Sequence, residues 1–208
     1  AAEFPLSPSR MVDILCKCCD VLSAAHKAHI IHRDLKPENI MVLEPDKPSD
    51  GERQVKLLDF GMALLVGPKA DQRLTQEGLV QGTPFYMSPE QCKGEEIGPQ
   101  SDVYSVGVML YEQLCGRLPF MGESPTDILL MHMFNEPEPP SRTNPRAQVP
   151  AVLEEIALRT LAKDPEDRPA GARELARLMR EAEARNFQQK PGTQRRMTVR
   201  RSTVEMED

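Results

Sequence analysis

His32-Arg33-Asp34-Leu35-Lys36-Pro37-Glu38-Asn39 is the stretch on which the reading turns. It places a carboxylate, an ammonium and an amide within six residues. Before it, Val12, Leu15, Cys19, Leu22 and Ala25 follow helical spacing, which predicts a helix from Met11 to about His29. Ser7 or Ser9 suits its N-cap, with Pro8 in or near the first turn. After it, Ile40–Leu43 and Gln54–Leu58 read as two short strands. The Pro-, Asp- and Gly-containing run between them reads as a solvated hairpin loop. Twenty residues past Asn39 stands Asp59-Phe60-Gly61. Asp and Asn from one loop, and Asp from the next, make a set of oxygen ligands suited to magnesium beside phosphates.

Further out, residues 61–89 carry Gly, Pro and Gln with little regular pattern, and a span of that length in a compact domain is often functional. Gln100–Leu114 is nearly continuously apolar at its centre and predicts a buried helix, with Asp102 an odd charge at its start. Pro125–Phe134, Val152–Leu161 and Ala172–Ala184 predict three more helices. After Arg185 the periodicity is lost, and 185–208 reads as a disordered tail.

The chain has 208 residues, enough to bury a core without metals or disulfides. Six basic residues and no acid lie in 185–201, and three acids close the chain. That leaves 20 basic and 29 acidic residues in 1–184, so the body is acidic and not a nucleic-acid binder. The absence of Trp and the scarcity of Phe and Tyr argue against a base-stacking surface. Five Cys, three of them at 16, 18 and 19, are no disulfide framework and read as helix packing in a reducing, cytoplasmic setting. His26, His29 and His32 recur every three residues, but the sequence places no carboxylate or Cys to complete a metal site with them. No apolar run is long enough to span a membrane.

The His32–Asn39 block followed by Asp59-Phe60-Gly61 resembles the signature set of eukaryotic-type (Hanks-type) serine/threonine protein kinases. Gly82-Thr-Pro-Phe-Tyr-Met-Ser-Pro-Glu90 resembles the family's peptide-positioning segment, with Ser88 where Ala is usual. Asp102-Val-Tyr-Ser-Val-Gly107 resembles the start of its central buried helix, and Asp167-Arg-Pro169 its late Arg motif. The style resembles bacterial members. The resemblance implies a mainly α fold with a small β-hairpin region, the C-terminal (large) lobe of a kinase over 1–184 and a tail over 185–208.

It also implies roles, residue by residue. Asp34 would accept or orient the substrate hydroxyl proton, and Lys36 would balance charge on the transferred phosphoryl group. Asn39 and Asp59 would ligate Mg2+, and Lys36, Glu38, Asn39 and Asp59 would line the ATP site. Thr83 would bridge toward Asp34 and Lys36. Arg33 marks a subtype whose activation segment is controlled by phosphorylation, with Thr75 as acceptor. His32, Phe60, Gly61, Glu90, Asp102 and Arg168 would be structural, Glu90 and Arg168 as a buried pair. In the tail, Thr198, Ser202 and Thr203 follow basic pairs and resemble sites of basophilic kinases.

The implied partners are proteins with Ser/Thr acceptors. No Gly occurs before Gly51, so the Gly-rich loop of an N-terminal lobe is not among residues 1–31. Three expectations follow: a catalytic lobe of a longer enzyme, a split enzyme completed by another chain, or a non-catalytic module that binds kinase substrates or a partner kinase. In each, the upper face should expose apolar surface that the other lobe would cover.

Overall fold

In the computed structural model, residues 6–43, 52–60 and 84–189 are described, with side chains to residue 185. Helix α1 spans Pro8–Lys27, with Ser7 as N-cap and Pro8 in its first turn. Proline suits that position because its missing N–H would be unpaired there anyway. The far end closes on His29, whose φ of 59° is left-handed. The His29 amide donates to the His26 carbonyl and the Ile30 amide to the Ala25 carbonyl, the double closure of a Schellman motif. Glycine would enter that conformation more easily.

Strands β1 (Ile40–Leu43) and β2 (Gln54–Leu57) pair antiparallel, with Ile40 opposite Leu57 and Leu43 opposite Gln54. Alternation sends Ile40, Val42, Val55 and Leu57 toward the body and leaves Met41, Leu43, Gln54 and Lys56 outward. Asp13 on α1 pairs with Lys17 and with Arg53, which ties the approach to β2 to that helix.

The rest is helical: α2 (Pro89–Lys93), α3 (Pro99–Cys115), α4 (Pro125–Phe134), α5 (Pro140–Thr143), α6 (Ala151–Thr160) and α7 (Ala172–Gln189). The fold is mainly α with one small antiparallel hairpin, as expected. Helix α3 lies at the centre, with Val103, Tyr104, Val106, Val108 and Leu110 wholly buried. A helix apolar around its circumference has to be surrounded, and α1, α6 and α7 pack against it. Gly107 permits the closest approach: a Cβ there would lie 2.2 Å from Thr160 Oγ1 and 2.6 Å from Thr160 Cβ.

The cysteines of α1 belong to this core. Burial pushes the Cys16 and Cys18 thiols up to about 12, so they act as small apolar groups. Two short helices, α2 and α5, were not expected from periodicity, because four or five residues are too few to show it. The sequence reading also closed the last helix at Ala184, whereas α7 continues to Gln189. Nothing in Arg185–Gln189 breaks a helix, and adding residues to an existing helix is far easier than starting one.

Candidate active site

Two residues in the left-handed region bracket the site. Arg33 has φ 68° and Asp59 has φ 59°. For an Arg this costs about 1–2 kcal/mol, so surrounding contacts must hold it. They do so through Asp102, in the first turn of α3 and only 1% exposed. Its Oδ2 accepts the His32 amide at 3.0 Å and its Oδ1 accepts the Arg33 amide at 3.0 Å. A third donor, His26 Nε2, reaches Oδ2 at 2.7 Å. From the other side, Gln91 Nε2 donates to the Arg33 carbonyl at 2.6 Å.

Asp34 follows directly. Lys36 Nζ donates to its Oδ2 at 2.8 Å. Asn39 Nδ2 donates to the Asp34 carbonyl at 2.7 Å and to Oδ2 at 3.2 Å. The Asn39 side chain therefore spends its N–H2 on the loop, and its Oδ1 is the oxygen left to serve as a ligand. Asn39 is 5% exposed, whereas the Asp34 side chain is 46% and the Lys36 side chain 28% exposed. An ion pair that open contributes about 1 kcal/mol at most to stability, so the Asp34–Lys36 contact matters for chemistry more than for folding.

The hairpin brings in the second segment. Asn39 immediately precedes β1 and Leu58 immediately follows β2, and the Leu58 amide donates to the Asn39 carbonyl at 2.8 Å. Asp59 is thereby set one residue from Asn39's partner, with its side chain exposed. The same junction is locked by His32, which is fully buried. Its Nε2–H donates to the Leu58 carbonyl at 2.9 Å, and its ring lies 4.7 Å from that of Phe60. Glu38 is exposed on the 3-10 turn Pro37–Asn39.

Glu90 and Arg168 meet in the interior. Arg168 donates to both Glu90 oxygens at 2.8 Å, and Ser101 Oγ donates to Glu90 Oε1 at 2.6 Å. Burial alone would raise the Glu90 carboxyl; the hydrogen bonds from Arg168 and Ser101 outweigh it and hold the group below the usual carboxylate range. Because Glu90 sits on α2 and Gln91 beside it grips the Arg33 carbonyl, this pair anchors one flank of the His32–Asn39 loop.

The expected residues Arg33, Asp34, Lys36, Glu38, Asn39, Asp59 and Phe60 thus lie around one end of the hairpin. Gly61, Thr75, Thr83 and the tail hydroxyls lie outside the described residues. Two contributors were missed. Gln91 was legible as the fourth residue of Ser88-Pro-Glu-Gln91, a capping-box spacing that α2 uses. His26 had been set aside with the other two histidines, and only the fold shows what it faces.

Among the described residues no three His, Cys, Asp or Glu side chains gather as a metal cage. Asn39 Oδ1 and the Asp59 carboxylate are nonetheless hard oxygen donors, a set that fits magnesium when phosphates and water complete its shell.

A protein kinase domain model matches residues 2–180. The serine/threonine-protein kinase pkn3 of Myxococcus xanthus is 46% identical over 82% of this chain and 31% of its own length. Pkn2 of the same organism is 44% identical over 83% of this chain and 20% of its own. PknB of Mycolicibacterium smegmatis is 40% identical over 82% of this chain and 26% of its own. The chain thus spans about a fifth to a third of the length of these relatives. With the family model covering most of its residues and these kinases as relatives, the chain belongs to the protein kinase domain family, among serine/threonine kinases of bacterial type.

Proposed function

We propose that this chain is the catalytic C-terminal lobe of a serine/threonine protein kinase. It transfers the ATP γ-phosphoryl group to Ser/Thr hydroxyls of proteins, together with a lobe that supplies a Gly-rich loop, a strand Lys and a helix Glu. The observation that supports it best is the Asp34–Lys36–Asn39 cluster, joined through the Asn39–Leu58 hydrogen bond to Asp59.

Asp34 accepts or orients the incoming hydroxyl proton, and its exposure leaves room for a substrate. Lys36, resting on Asp34, is within reach of charge that develops on the phosphoryl oxygens. Asn39 Oδ1 and Asp59 hold Mg2+, which neutralises the phosphates when bound. The transition state is loose, so these groups act by placement and electrostatics. The outward face of β1, with Met41 42% and Leu43 37% exposed, offers apolar surface for the other lobe and its nucleotide.

The test joins residues 1–208 to a related kinase's segment carrying the Gly-rich loop, Lys and Glu. Transfer from ATP–magnesium to Ser/Thr peptides is then measured. The expected result is transfer that Asp34→Asn lowers by roughly a hundredfold or more. Equal transfer by Asp34→Asn would sink the assignment. A folded, peptide-binding chain that transfers nothing would favour the non-catalytic binding module instead.

A further inference from the structure

The peptide group between Arg33 and Asp34 is gripped by a side chain from another element. Gln91, half-buried on α2, donates from Nε2 to the Arg33 carbonyl at 2.6 Å. Its Oε1 accepts the Ser88 amide at 3.0 Å and the Ser88 hydroxyl at 3.1 Å. We propose that Gln91, oriented by Ser88, is a positioning residue: it fixes the Arg33–Asp34 peptide, and with it the place of Asp34 relative to the segment that leads into α2.

The side-chain amide has one consistent orientation. It carries a donor end and an acceptor end. Turned over, its N–H2 would meet the Ser88 N–H and its oxygen would meet the Arg33 carbonyl. Both pairs repel, so the contacts at the two ends select the same orientation. Ser88 is wholly buried, so its hydroxyl needs a partner inside the protein, and Gln91 is that partner. Ser88 stands where Ala is usual in the motif it resembles, and Ala would remove one of the two donors that orient Oε1.

The load is the strained link. Arg33 at φ 68° joins two peptide planes. Asp102 holds the plane before it through the Arg33 amide. Rotation about ψ of Arg33 turns the plane after it, which carries the Arg33 carbonyl and the Asp34 amide, and Gln91 holds that second plane. It does so from a firm base, because the neighbouring Glu90 is bonded to Arg168 and Ser101 in the interior. Helix α2 also follows the Pro84–Tyr86 turn, within the stretch that resembles a peptide-positioning segment. One side chain thereby links the seat of a substrate peptide to the residue that would meet its hydroxyl.

The meaning of the proposal for phosphoryl transfer rests on the kinase reading, but its test reads the backbone rather than transfer, so the two fail separately. Gln91→Glu is the decisive variant, because Glu serves a capping box as well as Gln does but has no donor for the Arg33 carbonyl. Amide exchange is followed in the 208-residue chain at His32 and Arg33, at Cys92, whose amide bonds the Ser88 carbonyl at 3.0 Å, and at Val106–Leu110 in α3. Gln91→Glu is expected to speed exchange at His32 and Arg33 roughly fivefold or more, while Cys92 and the α3 amides keep their protection. Ser88→Ala, which leaves the Gln91 donor in place, is expected to produce a smaller change at the same two amides. Unchanged protection at His32 and Arg33 in Gln91→Glu, or a loss shared equally by Cys92 and α3, overturns the proposal. Should Gln91→Glu fail to fold, 15N spectra of the unsubstituted chain decide: a Gln91 side-chain amide with a proton slow to exchange is expected, and a freely exchanging one overturns it.

Discussion

A guanidinium with no exposed side-chain surface must find an acceptor for every N–H, and Arg168 does. Besides its two bonds to Glu90, it donates to the carbonyls of Ala162, Gln100 and Lys163, and it lies 4.9 Å from the Tyr104 ring centroid. Replacing it by Leu would leave the Glu90 carboxylate buried with Ser101 as its side-chain donor and would take a donor away from the Ala162, Gln100 and Lys163 carbonyls. Arg168→Leu is expected to lower unfolding stability by about 3–5 kcal/mol in urea titrations. Adding Glu90→Gln should recover part of that loss, because no uncompensated charge remains; strictly additive effects would contradict this account. The pairing of residues 90 and 168 was readable only through the family resemblance. The carbonyl partners were not readable at all, because they are set by how the turn at Pro165–Asp167 folds back on α3.

At the scale of elements, long periodic helices and the two apolar strand runs were legible, and the short helices were not. The pairing register of the strands comes from the structure, and α4 matched its expected bounds, with Ser124 and Asp127 capping it reciprocally. How α4 attaches to the body was hidden. Its His132 is fully buried, bonded to the Tyr104 hydroxyl at 2.8 Å and packed against the Phe120 ring edge. Lys163 closes the same helix end, donating to the His132 carbonyl at 2.9 Å.

Burial and the charge of Lys163 push the His132 imidazole down to about 4. The sign follows directly. Between about 4 and the ordinary value near 6.5, the unfolded chain takes up a proton that the folded chain refuses. Stability from this group is therefore complete above pH 6.5 and falls as the pH drops. Going from pH 7 to 5, the chain is expected to lose about 2 kcal/mol more than His132→Gln does, as measured by urea unfolding at both values. Equal losses would show that α4 does not refuse the proton.

For the whole molecule, the acidic body and basic tail give way to a different division, between covered and uncovered apolar surface. Among the described residues the exposed large apolar side chains fall in two stretches of sequence: Ile30, Met41 and Leu43 flank the His32–Asn39 loop, and Met121, Leu130 and Phe134 lie on and before α4. The sequence predicted the first, because the resemblance implied a covering lobe. It did not predict the second, because a helix apolar on every side reads as buried. On β1 the register sets Lys56 opposite Met41 and Gln54 opposite Leu43, so that face is diluted by polar neighbours. On α4, Leu130 and Phe134 stack one turn apart, with Phe134 69% exposed. Larger and less interrupted apolar area drives association harder. The chain is therefore expected to self-associate with rising concentration in sedimentation velocity. Phe134→Glu should shift it toward monomer more than Met41→Lys does, with little change in unfolding stability because Phe134 is mostly exposed. A concentration-independent monomer would remove the premise. A larger effect from Met41→Lys would show that the hairpin face, rather than α4, is the stickier surface.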